Sequence, residues 1–300
     1  MVDGQRSTGS SSMHIEGFFD PSTSSNSYLV FDGEGKRAVV VDSVLDYDPR
    51  AGRTSTNNAD RLIDRVVESG ARVEWILETH VHADHLSAAA HLKERLGGRT
   101  GIGERVTVVQ AFFAGLFNLG SGFATDGSQF DRLLADGESI AVGNLRITAL
   151  HTPGHTPACL SYLFSEGDEQ ALFVGDTLFM PDTGTARCDF PGGDAHALYR
   201  SLRRLLALPP QTRLYLCHDY PPGERPNAFF TTVGEQRRSN IHVHDGVGEE
   251  EFVELRRRRD ATLAVPVLLL PAVQVNMRCG VLPEPEANGT RYLKIPLNVL

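Results

Sequence analysis

Short apolar runs broken by Gly, Pro and Asp alternate along this chain with stretches of helical spacing. Residues 27–31 and 38–42 flank Asp32-Gly33-Glu34-Gly35, a pattern that predicts a hairpin. Leu62, Ile63, Val66 and Val67 fall at helical spacing within residues 60–69, and Gly70 can end that helix. Residues 73–77 read as a buried strand, and a helix-like stretch follows at 86–96. Residues 139–142 and 145–148 flank Gly143-Asn144, a strong two-residue hairpin signal. Residues 161–164, 171–174 and 213–216 read as short strands, and 195–208 as a helix ended by Pro209-Pro210. Phe112, Phe113, Leu116 and Phe117 predict a core-packing helix before a Gly- and Ser-containing loop. Beyond Pro221-Pro222-Gly223, residues 231–240 and 249–259 read as helices that cover the mouth of a cleft.

At 41% hydrophobic residues over 300 positions, the chain can bury a sizeable core. Residues 1–12 are polar, rich in Ser and Gly, and read as a disordered tail; residues 13–300 read as one domain, with 221–300 as its C-terminal helical and extended cover. The net charge of −9 disfavours nucleic acid or an anionic membrane as partner. Arg256 to Arg259 follow a Glu-rich run, so they read as the charged face of a helix with local ion pairs. No stretch approaches the roughly 20 apolar residues of a membrane span. Four cysteines without C-x-x-C spacing do not make a disulfide scaffold, which fits a reduced, cytoplasmic protein.

The candidate chemistry sits in Thr79-His80-Val81-His82-Ala83-Asp84-His85. Imidazole and carboxylate are the usual ligands of zinc and iron. Three histidines and an aspartate in the order H-x-H-x-D-H, placed where a strand ends, can converge on one point. Three later segments each follow a strand-like run: His151-Thr152-Pro153-Gly154-His155, Gly175-Asp176 and Cys217-His218. Loops at the edge of a rigid sheet commonly hold functional groups.

These four segments in this order resemble the metallo-β-lactamase superfamily. The resemblance implies an α/β fold: an αβ/βα sandwich of two mixed sheets flanked by helices, with the ligands in a cleft between them. It leaves two metal readings open. In one, two zinc or iron ions are bound, the first by His80, His82 and His155, the second by Asp84, His85 and His218, with Asp176 bridging. The site would then be a thioester hydrolase of the glyoxalase II kind, attacking with a metal-bound hydroxide. In the other, His80, His155 and Asp176 bind a single iron(II) as a two-histidine, one-carboxylate facial triad. His82, Asp84, His85, His218 and Tyr220 then orient ligands and substrate around it.

Further segments narrow the resemblance. Gly184 to Phe190 after the aspartate, Cys217-His218-Asp219-Tyr220, and the late Asn276-Met277-Arg278-Cys279-Gly280 are similar to the persulfide dioxygenases, the ethylmalonic encephalopathy protein-like family. That family implies one Fe(II) per chain, glutathione persulfide and dioxygen as substrates, sulfite and glutathione as products, and a homodimer in sulfide detoxification. The chain departs from the family pattern at Cys217 and Cys188, in about two extra residues before Arg187, and in the twenty residues after Gly280. The departures resemble a bacterial β-lactamase-like hydrolase form.

Arg187, Arg237 and Cys279 are the substrate-side candidates. A guanidinium suits bidentate recognition of a carboxylate, although Arg187 could equally pair with Asp189. Cys279 is either a cleft thiol or a small buried hydrophobe. A non-catalytic metal-binding sulfur sensor is the remaining reading, and a purely structural site would close its coordination shell.

Overall fold

The structure, a computed structural model, describes residues 12–299. The tail reading for residues 1–12 therefore lies outside them, apart from Ser12. The first half of the chain supplies strands β1 (His14–Asp20), β2 (Ser25–Phe31), β3 (Arg37–Val41), β4 (Val44–Asp48), β5 (Arg53–Ser55), β6 (Arg72–Leu77), β7 (Leu86–Ser87), β8 (Arg99–Gly103) and β9 (Arg132–Leu134). Six of these form one mixed sheet in the order β1-β2-β3-β6-β8-β9, while β5-β4-β7 form a small ribbon. The second half supplies β10 (Ser139–Val142), β11 (Leu145–His151), β12 (Leu160–Glu166), β13 (Glu169–Phe173), β14 (Arg213–Tyr215) and β15 (Phe230–Thr232), which form the second mixed sheet in sequential order.

The two sheets meet through one apolar layer. Tyr28, Val39, Val41, Trp75 and Leu77 of the first sheet pack there with Ile147, Ala149, Tyr162, Phe164 and Phe173 of the second. The outer face of the first sheet is covered by α1 (Asn57–Ser69), α2 (Ala89–Leu96), α3 (Val106–Leu116) and, from the far end of the chain, α7 (Leu269–Asn276). The outer face of the second is covered by α4 (Ala195–Leu206) and α6 (Glu249–Asp260), with α5 (Val233–Ser239) beside them. This is the αβ/βα sandwich that the resemblance implies: each sheet buries one face on the other and one face under helices, as mixed sheets with two apolar faces require. No helix of the described residues is long and apolar enough to cross a membrane.

Three elements differ from the pattern reading. The helix-like stretch 86–96 begins with β7, because Leu86 and Ser87 pair with Leu45 and Val44; the helix starts at Ala89. The helix placed at 231–240 starts at Val233, since Phe230 to Thr232 pair with β14 and Thr232 caps the helix by accepting from the Glu235 N–H. The arginine run is not a solvated face throughout. Arg256 is only 1% exposed and is paired with Asp260, while Arg258 pairs with Glu254 at the surface.

Candidate metal centre

Strand direction explains why the ligands converge. Strand β6 is the apolar middle of the first sheet, parallel to β3 and β8, and its C-terminal end releases the loop that starts at Glu78. In the second sheet β13 and β14 are parallel, and β11 runs the same way because it is two antiparallel steps from β13. His155, Asp176 and His218 therefore leave the same edge. A bridge between Ser25 and His218 joins the two sheets there. Gly175 has a positive φ of 54°, and a Cβ on it would lie 2.6 Å from the Thr79 hydroxyl. Only glycine lets Asp176 approach the His80 loop so closely.

His80, His155 and Asp176 are all buried and form one group. Nε2 of His80 and Nε2 of His155 each stand 3.8 Å from the same carboxylate oxygen, Asp176 Oδ2. Atoms that share an ion at about 2.1 Å each can be no more than about 4.2 Å apart, so the spacing fits one metal. The remaining ring nitrogens are committed elsewhere. His155 Nδ1 donates to the Arg187 carbonyl at 2.8 Å. His80 Nδ1 donates at 3.1 Å to the Thr79 hydroxyl, which in turn donates to Asp42 at 2.9 Å. These bonds fix the tautomer that leaves Nε2 as the ligand atom. His80 Nε2 and Asp176 Oδ1 are buried without any hydrogen-bond partner. Burial, followed by the neighbouring His82 and His155, holds the His80 pKa well below its ordinary value. The ring is therefore neutral, the form that binds a metal. Orphaned, buried atoms on His80 and Asp176, in a two-histidine, one-carboxylate set, fit a divalent ion.

Orphaned atoms are not confined to this group: Asp84 Oδ1, His85 Nε2 and His218 Nε2 are also buried without a hydrogen-bond partner. His82 Nε2 donates to Asp42 at 3.0 Å and lies 3.4 Å from Glu78, while His82 also falls in a group with Asp176, Cys217 and His218 that could hold an ion. Asp84, His85 and His218 form a second group that could hold an ion, with ligand atoms, His82 included, within 4.8 Å of one another. There Asp84 is already engaged, with His218 Nε2 at 3.1 Å and the Tyr220 hydroxyl donating at 3.4 Å. Burial opposes ionisation of Asp84, but the His218 ring beside it outweighs that and holds the carboxyl pKa well below its usual range. Tyr220 stacks on His218 with ring centroids 5.6 Å apart and planes within 8°. Ser25 bridges Nδ1 of His85 and Nδ1 of His218 at 3.1 and 3.3 Å.

Asp42, Thr79 and Asn276 brace the loop; Thr79 and Asn276 stood in motif segments without a role of their own, and Asp42 was not singled out. Asp42 accepts from His82 and from both the amide and hydroxyl of Thr79. Its signal was available, as an acid ending the apolar strand β3 next to the metal loop. Asn276 spans the far end of the same loop: it donates to the carbonyls of His82 and His85 at 2.8 and 2.7 Å and accepts from the Ser87 amide at 2.7 Å.

A cavity of about 780 Å³ opens beside the triad, and His155, Asp176, Asp84, Tyr220 and Arg187 line it. Arg187 is at this wall, but its guanidinium is committed. It donates to both Asp189 oxygens at 2.5 and 2.6 Å and to the Ala264 carbonyl at 2.7 Å. Arg237 does not belong to the cavity; it pairs with Asp245 on the exposed side of α5. Cys279 does not line the cavity either. It is buried in the core, and burial pushes its thiol pKa up to about 12. Arg237 is thus taken up by Asp245, and Cys279 takes the small buried hydrophobe's place rather than the cleft thiol's. Arg187→Ala is expected to lower stability by about 1–2 kcal/mol, because it frees the segment whose carbonyl orients His155. Thermal melting checks this; an unchanged melting temperature with a raised KM for an anionic thiol would make Arg187 a substrate clamp instead.

A family model described as the metallo-beta-lactamase superfamily matches residues 21–218. The chain is 60% identical over 294 residues to a probable metallo-hydrolase of Burkholderia pseudomallei, covering 96% of this chain and all of the relative. It is 50% identical over 287 residues to glyoxylase B2 of Dictyostelium discoideum, covering 95% and 97% of the two chains. To the mitochondrial persulfide dioxygenase ETHE1 of Bos taurus it is 30% identical over 269 residues, 89% of each chain. The crystal structure of ETHE1 from Myxococcus xanthus aligns with a TM-score of 0.70 at 31% identity, covering 89% of this chain and 100% of that one.

Proposed function

The chain belongs to the metallo-beta-lactamase superfamily and within it to the ETHE1-like family, and from that premise we propose that it is a mononuclear iron(II) persulfide dioxygenase. The substrate is glutathione persulfide, oxidised in sulfide detoxification. One persulfide, one dioxygen and one water give glutathione, sulfite and two protons. Both electrons of the S–S bond go to the inner sulfur, which leaves as the glutathione thiol, and the outer sulfur gives four more electrons to dioxygen.

The observation that carries this reading is the division of labour among the histidines. His80 and His155 aim free Nε2 atoms at Asp176, whereas His82 is hydrogen-bonded to Asp42. His80, His155 and Asp176 would hold the iron. Iron(II) on such a triad leaves positions open for a thiolate and dioxygen and can exchange electrons, which zinc cannot. The protein's own groups do the rest. Thr79, Asp42 and the Arg187 carbonyl hold the two imidazoles in their ligating tautomer. Phe179, Phe190 and Leu269 on the cavity wall keep water away from the sulfur. Tyr220, stacked on His218, offers a hydroxyl at the cavity edge.

A dinuclear thioester hydrolase is the second reading, favoured by the Asp84, His85 and His218 group and by the likeness to glyoxylase B2. Metal analysis after anaerobic purification separates them. About one iron per chain is expected; about two metals per chain with zinc prominent would favour the hydrolase.

A further inference from the structure

Three arginines face the cavity: Arg187, Arg256 and Arg259. Two of them are neutralised. Arg187 is held by Asp189 and the Ala264 carbonyl. Arg256 is buried, paired with Asp260, and donates to the Thr185 carbonyl at 3.0 Å. The cavity's acids are likewise engaged: Asp189 by Arg187, Asp84 by His218 and Tyr220, and Asp176 in the metal group. Arg259, in the last turn of α6, is the exception. It is exposed, and among the described residues its guanidinium makes no ion pair and no side-chain hydrogen bond. The wall between Arg259 and α7 is apolar, built by Leu263, Val265, Pro266 and Leu268.

We propose that Arg259 is the anion-binding residue of the cavity and that it takes a carboxylate of the thiol that carries the substrate sulfur. This rests on the reading that the cavity receives a thiol-bound substrate. An unpaired guanidinium at the rim of an otherwise charge-balanced, mostly apolar cavity selects a ligand with an anionic end and a less polar body. Its planar fork suits a carboxylate. An acidic protein needs such a local cation to hold an anionic thiol, because its overall field repels one.

The test uses the iron-loaded protein under anaerobic conditions. The probes are S-methylglutathione, which has no persulfide to oxidise, and its diethyl ester, which lacks both carboxylates. Calorimetry should show wild-type protein binding the diacid about tenfold more tightly than the diester, the scale of one charge-assisted hydrogen bond. Arg259→Gln should remove most of that preference while leaving diester affinity and melting temperature unchanged, since the side chain is exposed and unpaired. Arg259→Lys should retain part of it. The proposal is overturned if Arg259→Gln keeps the wild-type preference, or if the wild-type protein has none. If the preference depends on Arg259 but no oxygen is consumed with glutathione persulfide, the dioxygenase reading fails and the anion site stands.

Discussion

Alanine at His80, His155 or Asp176 is expected to abolish iron retention and, with it, oxygen consumption. Each supplies one ligand atom to a buried group of three, so losing any one leaves the ion two ligands of that group. His218→Ala is expected to behave differently. It should lower turnover about ten- to a hundredfold, the usual effect of removing a group that orients a metal site from outside, while leaving most of the iron bound. Iron content and oxygen uptake of the four variants measured side by side check this. If His218→Ala loses metal as completely as His80→Ala, a second ion held by Asp84, His85 and His218 is part of the site.

The second large effect is expected at Asn276. Its amide joins α7 to the metal loop through three hydrogen bonds, to the His82 and His85 carbonyls and from the Ser87 amide. The chain just beyond is shaped for this contact. Cys279 and Gly280 both have positive φ, and a Cβ on Gly280 would lie 2.7 Å from the Ser87 carbonyl. Asn276→Ala strands three backbone groups in a buried site. At about 1–3 kcal/mol for each unsatisfied group, a loss of roughly 3–5 kcal/mol is expected. For a domain of this size that is about a 10 °C fall in melting temperature. Asn276→Asp should be no better, since its oxygens would face two carbonyls. Because the loop carries His80, iron affinity should fall as well. Thermal melting together with an iron titration tests this, and a variant with wild-type stability and wild-type iron content would refute the clamp.

The ligand loops were legible in the sequence because each follows an apolar strand and carries its own chemistry. His80, His155 and Asp176 all lie where the four-segment pattern places them, and the Gly143-Asn144 hairpin needed only its turn residues. Strand β8 was not legible. Its sequence, Arg-Thr-Gly-Ile-Gly, has poor strand propensity, and its glycines answer to distant packing. A Cβ on Gly101 would lie 2.9 Å from Leu77, and one on Gly103 the same distance from Leu160 of the other sheet. The burial of Arg256 depends on Asp260 and on the Thr185 carbonyl, 71 residues earlier in the chain. The role of Asn276 was hidden for the same reason, since its partners lie about 190 residues away. Arg187 was half legible. Its Asp189 partner is two residues on, but the Ala264 carbonyl that completes its engagement is 77 residues away.

The most direct measurement of the central claim is oxygen uptake by the iron-loaded protein given glutathione persulfide, with sulfite release followed in the same reaction and S-lactoylglutathione as the comparison substrate. A mononuclear iron persulfide dioxygenase should consume oxygen and release sulfite in equal amounts, and should cleave the thioester slowly or not at all. Rapid hydrolysis of S-lactoylglutathione with no oxygen uptake on the persulfide would contradict the account.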